Sequence, residues 1–234
     1  MYPILLCAGA VSLIVYIREK IRACSVRAVL LKSLVSFLFL AVGIYGAWRG
    51  AGAASPLCPF VLLGLLCGLL GDIWLDLKYV FPEKDVPFTY AGFATFGVGH
   101  IFYILGMLLA FPPTENPLDA ILPFLLGALL SAGNLVLEKP MKQHYGRMRT
   151  TVLLYGFLLF GMVLTAGYLA LSYQWKETPL NLFFLGGVLF ALSDLILSGT
   201  YFGTGKDRPI DITLNYLTYY GGQFLIASSL VFLR

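Results

Sequence analysis

The sequence predicts an all-α fold, a polytopic membrane bundle of about eight transmembrane helices forming one domain over residues 1–234. Three observations predict it. The chain is 59% hydrophobic and only 12% charged, against the roughly 25% charged share of soluble globular domains. Apolar runs recur at about 20 residues, the length at which an α-helix crosses a hydrocarbon core of roughly 30 Å. Basic residues gather in alternate connectors, which is the charge pattern of a membrane protein.

The first run, residues 2–17, has no basic region before it and no small-residue cleavage site before Arg18. It is therefore expected to remain as a helix rather than be removed as a signal peptide. Seven more runs follow at 29–48, 56–77, 88–111, 118–137, 150–173, 180–202 and 212–233. Pro82, Pro87, Pro112, Pro113, Pro117, Pro140, Pro179 and Pro209 punctuate the connectors. The runs are continuous rather than alternating, which argues against strands, and an open sheet in lipid would leave backbone groups unpaired.

Arg18, Lys20, Arg22, Arg27 and Lys32 mark the first connector as cytoplasmic. Lys78 and Lys84 agree, as do Lys139, Lys142, Arg147 and Arg149, and then Lys206 and Arg208. Thirteen of the sixteen Lys and Arg fall on that side, leaving Arg49, Lys176 and Arg234 on the other. This asymmetry predicts both termini outside the cytoplasm and an even number of spans. It also accounts for the net charge of +4 without a nucleic-acid partner. Cys7 and Cys67 lie in apolar runs while Cys24 and Cys58 fall on opposite sides, so neither a disulfide framework nor a CxxC metal site is indicated. The absence of Asn-x-Ser/Thr sequons and the compact connectors are compatible with a bacterial inner membrane.

Ionisable side chains deep in a bilayer are costly and usually face the bundle interior or a water-filled cavity. Asp72, Asp76, His100 and Asp194 stand out, and three of them fall at similar depth towards the cytoplasmic side. Residues four apart share a helix face. Gly64, Gly68 and Asp72 form one stripe, Gly92, Phe96 and His100 with Tyr103 a second, and Gly187, Phe190 and Asp194 a third. Small residues before each ionisable group allow close helix approach, which suits a packed polar pocket. Lys32, Tyr155, Tyr219, Tyr220 and Gln223 could reach the same layer. Each also has a plain structural reading: an interhelical hydrogen bond for Asp72, Asp194 or His100, solvation at a helix end for Asp76, snorkelling for Lys32, and packing for the tyrosines. His144, in a basic connector, is expected to be exposed.

Ser193 has no GxSxG elbow around it, and Asp194 beside it points about 100° away on a helix, so a serine hydrolase is not indicated. A zinc hydrolase normally uses three protein ligands, and the histidines are only His100 and His144, so Asp72, Asp194 and His100 remain the one conceivable metal set and no metal or cofactor is expected. A proton-coupled transporter would also place carboxylates in mid-membrane. Against it, the halves show no clear sequence repeat and no pair of Pro-broken spans.

GLLGDIWLDL at 68–77, AGFATFGVGHIFYILG at 91–106, GGVLFALSDLIL at 186–197 and YYGGQFLIA at 219–227 resemble, in order, the signature segments of the YhhN family. That family includes the lysoplasmalogenases of animal membranes. The Gly-Asp, Gly-His and Ser-Asp pairs are the most specific parts of the resemblance. One departure is Lys32-Ser33, where the family often has Lys-Pro. The resemblance implies an eight-helix domain whose polar site hydrolyses the alkenyl ether bond of a lysoplasmalogen, giving a fatty aldehyde and glycerophosphocholine or glycerophosphoethanolamine. The lysophospholipid would enter from the bilayer. Asp72 and Asp194 would then be the acid and base with His100 as relay, and Lys32, Asp76, Tyr103, Tyr155, Ser193, Tyr219, Tyr220 and Gln223 would contact the substrate. Proton-coupled transport through the same carboxylates is the alternative.

Overall fold

A computed structural model describes residues 1–49, 55–113, 120–203 and 208–233. The expected first residues of the fifth span at 118 and 119, Pro117, Lys206 and Arg234 lie outside these described residues. Eight α-helices are present: α1 Tyr2–Arg22, α2 Val26–Arg49, α3 Leu57–Val80, α4 Asp85–Ala110, α5 Leu122–Val136, α6 Arg149–Ser172, α7 Thr178–Phe202 and α8 Pro209–Ser229. No strand occurs among the described residues.

Helix starts differ from the hydropathy reading for a local reason. Pro87, Pro179 and Pro209 lie inside the first turns of α4, α7 and α8 rather than in connectors. The first turn has no intrahelical use for the missing N–H, so proline begins a helix there as readily as it ends one. Helices α2, α3, α4, α6 and α7 are long and apolar enough to cross a membrane. Two others are less apolar, because α1 ends in Arg18, Glu19, Lys20 and Arg22 and α8 carries Asp211, Asn215, three tyrosines and Gln223. Helix α5, at 15 residues, is the short one. It rises only about 22 Å.

Helices adjacent in sequence pack on one another at every step except α4 to α5, and the main contacts that skip in sequence are α4 on α6 and α8 back on α2, with α8 also touching α1 and α3. Six helices, α2, α3, α4, α6, α7 and α8, therefore close a ring, with α1 outside against α2 and α5 outside against α6. This pattern has a two-fold regularity that the sequence did not show. The order α1 on α2 on α3 on α4 repeats as α5 on α6 on α7 on α8, and the two junctions α4–α6 and α8–α2 correspond. Asp72 and Asp194 stand on equivalent helices, the third of each half.

Glycine lets neighbouring helices of the ring pack tightly, both within a half and between the halves. A Cβ on Gly186 would lie 2.7 Å from the Gly222 carbonyl oxygen, and one on Gly68 would lie 2.6 Å from the Gln223 amide. Gly64 receives the Tyr103 ring face on. In lipid, helices associate through packing and interhelical hydrogen bonds rather than a hydrophobic driving force, so these small-residue contacts carry much of the cohesion. The outward faces are apolar, as at Leu125, Leu129, Leu154 and Leu185.

Candidate functional site

The site is assembled from pairs of polar residues spaced four apart, so that each pair shares one helix face. Helix α3 carries Asp72 and Asp76, α2 carries Lys32 and Ser36, and α1 carries Tyr16 and Lys20. Asp72, only 2% exposed, is surrounded by donors. Its Oδ2 accepts from Ser36 Oγ at 2.6 Å and from the Tyr219 hydroxyl at 2.7 Å. The Lys32 ammonium lies 3.2 Å from its Oδ1.

Asp76, one turn along, is equally buried and is not at the solvated interface. It accepts from Lys20 at 2.9 Å, from the Tyr16 hydroxyl at 3.1 Å and from Lys32 at 3.4 Å. Two carboxylates and two ammonium groups thus neutralise one another within the bundle. A buried ion pair repays its desolvation only when the remaining hydrogen bonds are satisfied, and the hydroxyls of Ser36, Tyr219 and Tyr16 meet that need.

Asp194 has a different setting. It is half-buried and accepts a short hydrogen bond from the Tyr155 hydroxyl. No ion pair reaches it among the described residues. His100 stands behind, its Nε2 3.4 Å from the same Tyr155 hydroxyl and its ring against Phe190. His100 is 1% exposed, and its Nδ1 has no hydrogen-bond partner among the described residues.

Asp72 and Asp194 line one cavity of about 80 Å³, room for a few water molecules. Every helix of the ring contributes to its wall, including Lys32, Phe96, Tyr155, Ser193 and Tyr219. The lining is otherwise mainly apolar, through Leu75, Phe93, Val152, Leu159, Phe160 and Leu197. Its wall therefore sets apolar surface beside two carboxyl groups.

Of the residues expected to contact a substrate, Lys32, Tyr155, Ser193 and Tyr219 reach the cavity. Asp76, His100, Tyr103, Tyr220 and Gln223 do not line it and form a supporting layer instead. Tyr103 donates to Gln223 Oε1 at 3.2 Å, the Gln223 amide donates to the Tyr219 hydroxyl at 3.2 Å, and the Tyr220 hydroxyl lies 3.0 Å from Ser36 Oγ. The Ser193 hydroxyl is spent on the Phe190 carbonyl, and its own carbonyl accepts from Asn215. Among the described residues no three His, Cys, Asp or Glu side chains form a metal-ligating cluster, so Asp72, Asp194 and His100 do not assemble as one.

Sequence reasoning missed Ser36, Tyr16, Lys20, Asn134, Ser198 and Asn215. Four-residue spacing from Lys32 finds Ser36, from Asp194 finds Ser198, and from Tyr219 finds Asn215. Tyr16 and Lys20 carry no such signal, because their partner Asp76 is on another helix.

Searches of curated proteins and of solved structures find no match to this chain. The YhhN family profile matches residues 27–230, which takes in every helix except α1. With its apolar helices and an interior site built from the Gly-Asp, Gly-His and Ser-Asp segments, this integral membrane protein belongs to the YhhN family.

Proposed function

We propose that this protein hydrolyses the alkenyl ether bond of lysoplasmalogens, using Asp194 and Asp72 as acid and base. The observation that carries this reading is that two carboxyl groups in unlike environments line one narrow, largely apolar cavity. Asp72 faces an ammonium and two hydroxyl donors, so it is the carboxylate. Asp194 faces a tyrosine and no cation, so it is the proton carrier. Dividing acid and base between two carboxyl groups by their surroundings is a recurrent solution in hydrolases.

The reaction follows from that division. The Asp194 carboxyl protonates the β carbon of the vinyl ether, and the π electrons form the new C–H bond as an oxocarbenium ion develops. The Asp72 carboxylate stabilises that charge and takes a proton from the water that attacks the α carbon, as carboxylates do in glycoside hydrolysis. The hemiacetal then collapses: the Asp194 carboxylate takes its hydroxyl proton as the C–O bond breaks, and the protonated Asp72 gives its proton to the leaving oxygen, releasing the aldehyde and the glycerophospho-alcohol and restoring both groups. Tyr155 orients Asp194 and links it to His100, and Tyr219 with Ser36 and Lys32 holds Asp72. The alkenyl chain occupies the apolar wall, and the charge asymmetry of the connectors supports a head group at the cytoplasmic face.

The test is aldehyde release from an alkenyl lysophospholipid by purified protein in detergent. Wild type turns it over, and Asp72→Asn and Asp194→Asn each reduce kcat by about 10²-fold or more while remaining folded. Wild type that releases no aldehyde from any alkenyl lysolipid sinks this reading.

The repeated helix packing favours proton-coupled transport as a second reading, since transporters place sites at the interface of repeats. Acid-driven solute uptake into proteoliposomes that requires Asp72 and Asp194, without ether hydrolysis, would establish it.

A further inference from the structure

Lys32 is poorly placed to bind a phosphate, because its ammonium is already shared between Asp72 and Asp76 inside the bundle. A second concavity offers unspent positive charge. It is a surface pocket of about 600 Å³ at the α5–α6 connector, and Glu138, Lys139, Lys142, Gln143, His144 and Arg149 line it. Three cations face one carboxylate there. That carboxylate is occupied, since Glu138 accepts from the Tyr145 backbone N–H at 2.9 Å and lies 3.5 Å from Arg149. Lys139 and Lys142 are exposed and have no ion-pair partner among the described residues.

The backbone is built to hold this arrangement. Lys142 adopts φ +55°, a backbone conformation that L side chains rarely adopt. Its N–H bonds the Lys139 carbonyl at 2.9 Å, and the Gln143 N–H bonds the Glu138 carbonyl at 2.8 Å, so the connector folds back on itself. The His144 N–H then ties it to the Phe202 carbonyl at the end of α7.

Gln143 stands between this pocket and the carboxylate cavity. It is 1% exposed, and its Oε1 accepts from the Tyr145 hydroxyl at 2.5 Å and from Ser198 Oγ at 3.1 Å, while its Nε2 has no partner among the described residues. Ser198 lines the cavity that holds Asp72 and Asp194. From Asp194 to Ser198 is one helical step of four residues, about 6 Å along the axis. Ser198, one turn from Asp194, is thus the cavity residue that Gln143 meets.

We infer that the Lys139–Lys142–Arg149 pocket, with Gln143 at its inner wall, is the subsite for the phosphate of the substrate's head group. This rests on the lysolipid hydrolase reading. A substrate lies with its ether bond between the two aspartates, its chain in the apolar wall and its phosphate among the connector cations. Arg and Lys donors suit a phosphate dianion or diester through charge-assisted hydrogen bonds.

The test compares an alkenyl glycerophosphocholine with the phosphate-free alkenyl glycerol, on wild type and on the double variant Lys139→Gln, Lys142→Gln. The ratio of their kcat/KM values is expected to fall about tenfold in the variant. A parallel arm measures binding of uncleavable alkyl counterparts of both lipids, in which wild type prefers the phosphate-bearing one and the variant loses that preference. An unchanged ratio with active wild type overturns the subsite and leaves the hydrolase standing. Binding preference lost in the variant, with wild type cleaving neither lipid, supports a phosphate subsite and removes the hydrolase reading. Inorganic phosphate alone, bound as tightly as the lipid, would make the pocket a free-anion site and overturn the assignment.

Discussion

The Lys32 ammonium stands 3.2 Å from Asp72 and 3.4 Å from Asp76, so one cation on α2 serves two carboxylates stacked one turn apart on α3. Removing it strands buried negative charge. Lys32→Met is expected to destabilise the protein by about 3–5 kcal/mol, the usual cost of breaking a buried pair. Thermal unfolding in detergent measures this. Adding Asp72→Asn should recover part of the loss, and strict additivity of the two changes would show that the pair does not couple.

Ser36 donates to Asp72 at 2.6 Å from a fully buried position. Ser36→Ala should cost about 1.5–3 kcal/mol, the range for a hydrogen bond to a charged group. Aldehyde release should fall as well, because Asp72 loses a holder that its sequence neighbours do not supply. Normal stability and normal turnover in this variant would show that Lys32 and Tyr219 suffice.

Tyr155 is the link between Asp194 and His100. Tyr155→Phe should lower kcat by about tenfold or more with a smaller change in KM, since it orients the proton carrier rather than the lipid. Tyr103→Phe, whose hydroxyl bonds Gln223 outside the cavity, should leave kcat close to wild type. Steady-state kinetics on the alkenyl lysolipid decides, and equal losses from both changes would contradict the division into cavity and supporting layer.

Gly186 and Gly133 make a matched pair on α7 and α5. A methyl on Gly186 would meet the Gly222 carbonyl at 2.7 Å and force α7 from α8, whereas one on Gly133 meets nothing within 4 Å. Gly186→Ala is therefore expected to destabilise by about 1–3 kcal/mol, the cost of overpacking. Gly133→Ala should be neutral or stabilise by up to about 1 kcal/mol through helix propensity. Thermal shifts of opposite sign, or of very different size, would bear this out.

Much of the site was legible because depth in a membrane is written along the chain. Asp72, His100, Tyr155 and Asp194 do converge, and Lys32 reaches the same layer despite lacking the following proline. Asp76 was harder, since a carboxylate near the end of an apolar run reads as solvated until Lys20 and Tyr16 arrive from α1. The two-fold packing was invisible for a related reason: contacts such as α4 with α6 and α8 with α2 join residues far apart in the chain and leave no local pattern.

The sequence by itself determined the solvent, the number of helices and most of the ionisable groups inside the bundle, though not Lys20, because hydrophobic run length and helical period are properties of neighbouring residues. Only the tertiary structure decided which of those groups share a cavity and which stand behind it. A helix can rotate about its axis without changing its hydropathy, and its angle is set by glycine contacts and ion pairs with helices that the chain reaches much later. That rotation gives Asp72 an ammonium and two hydroxyl donors and leaves Asp194 beside Tyr155 with no ion pair among the described residues, the difference on which the proposed chemistry depends.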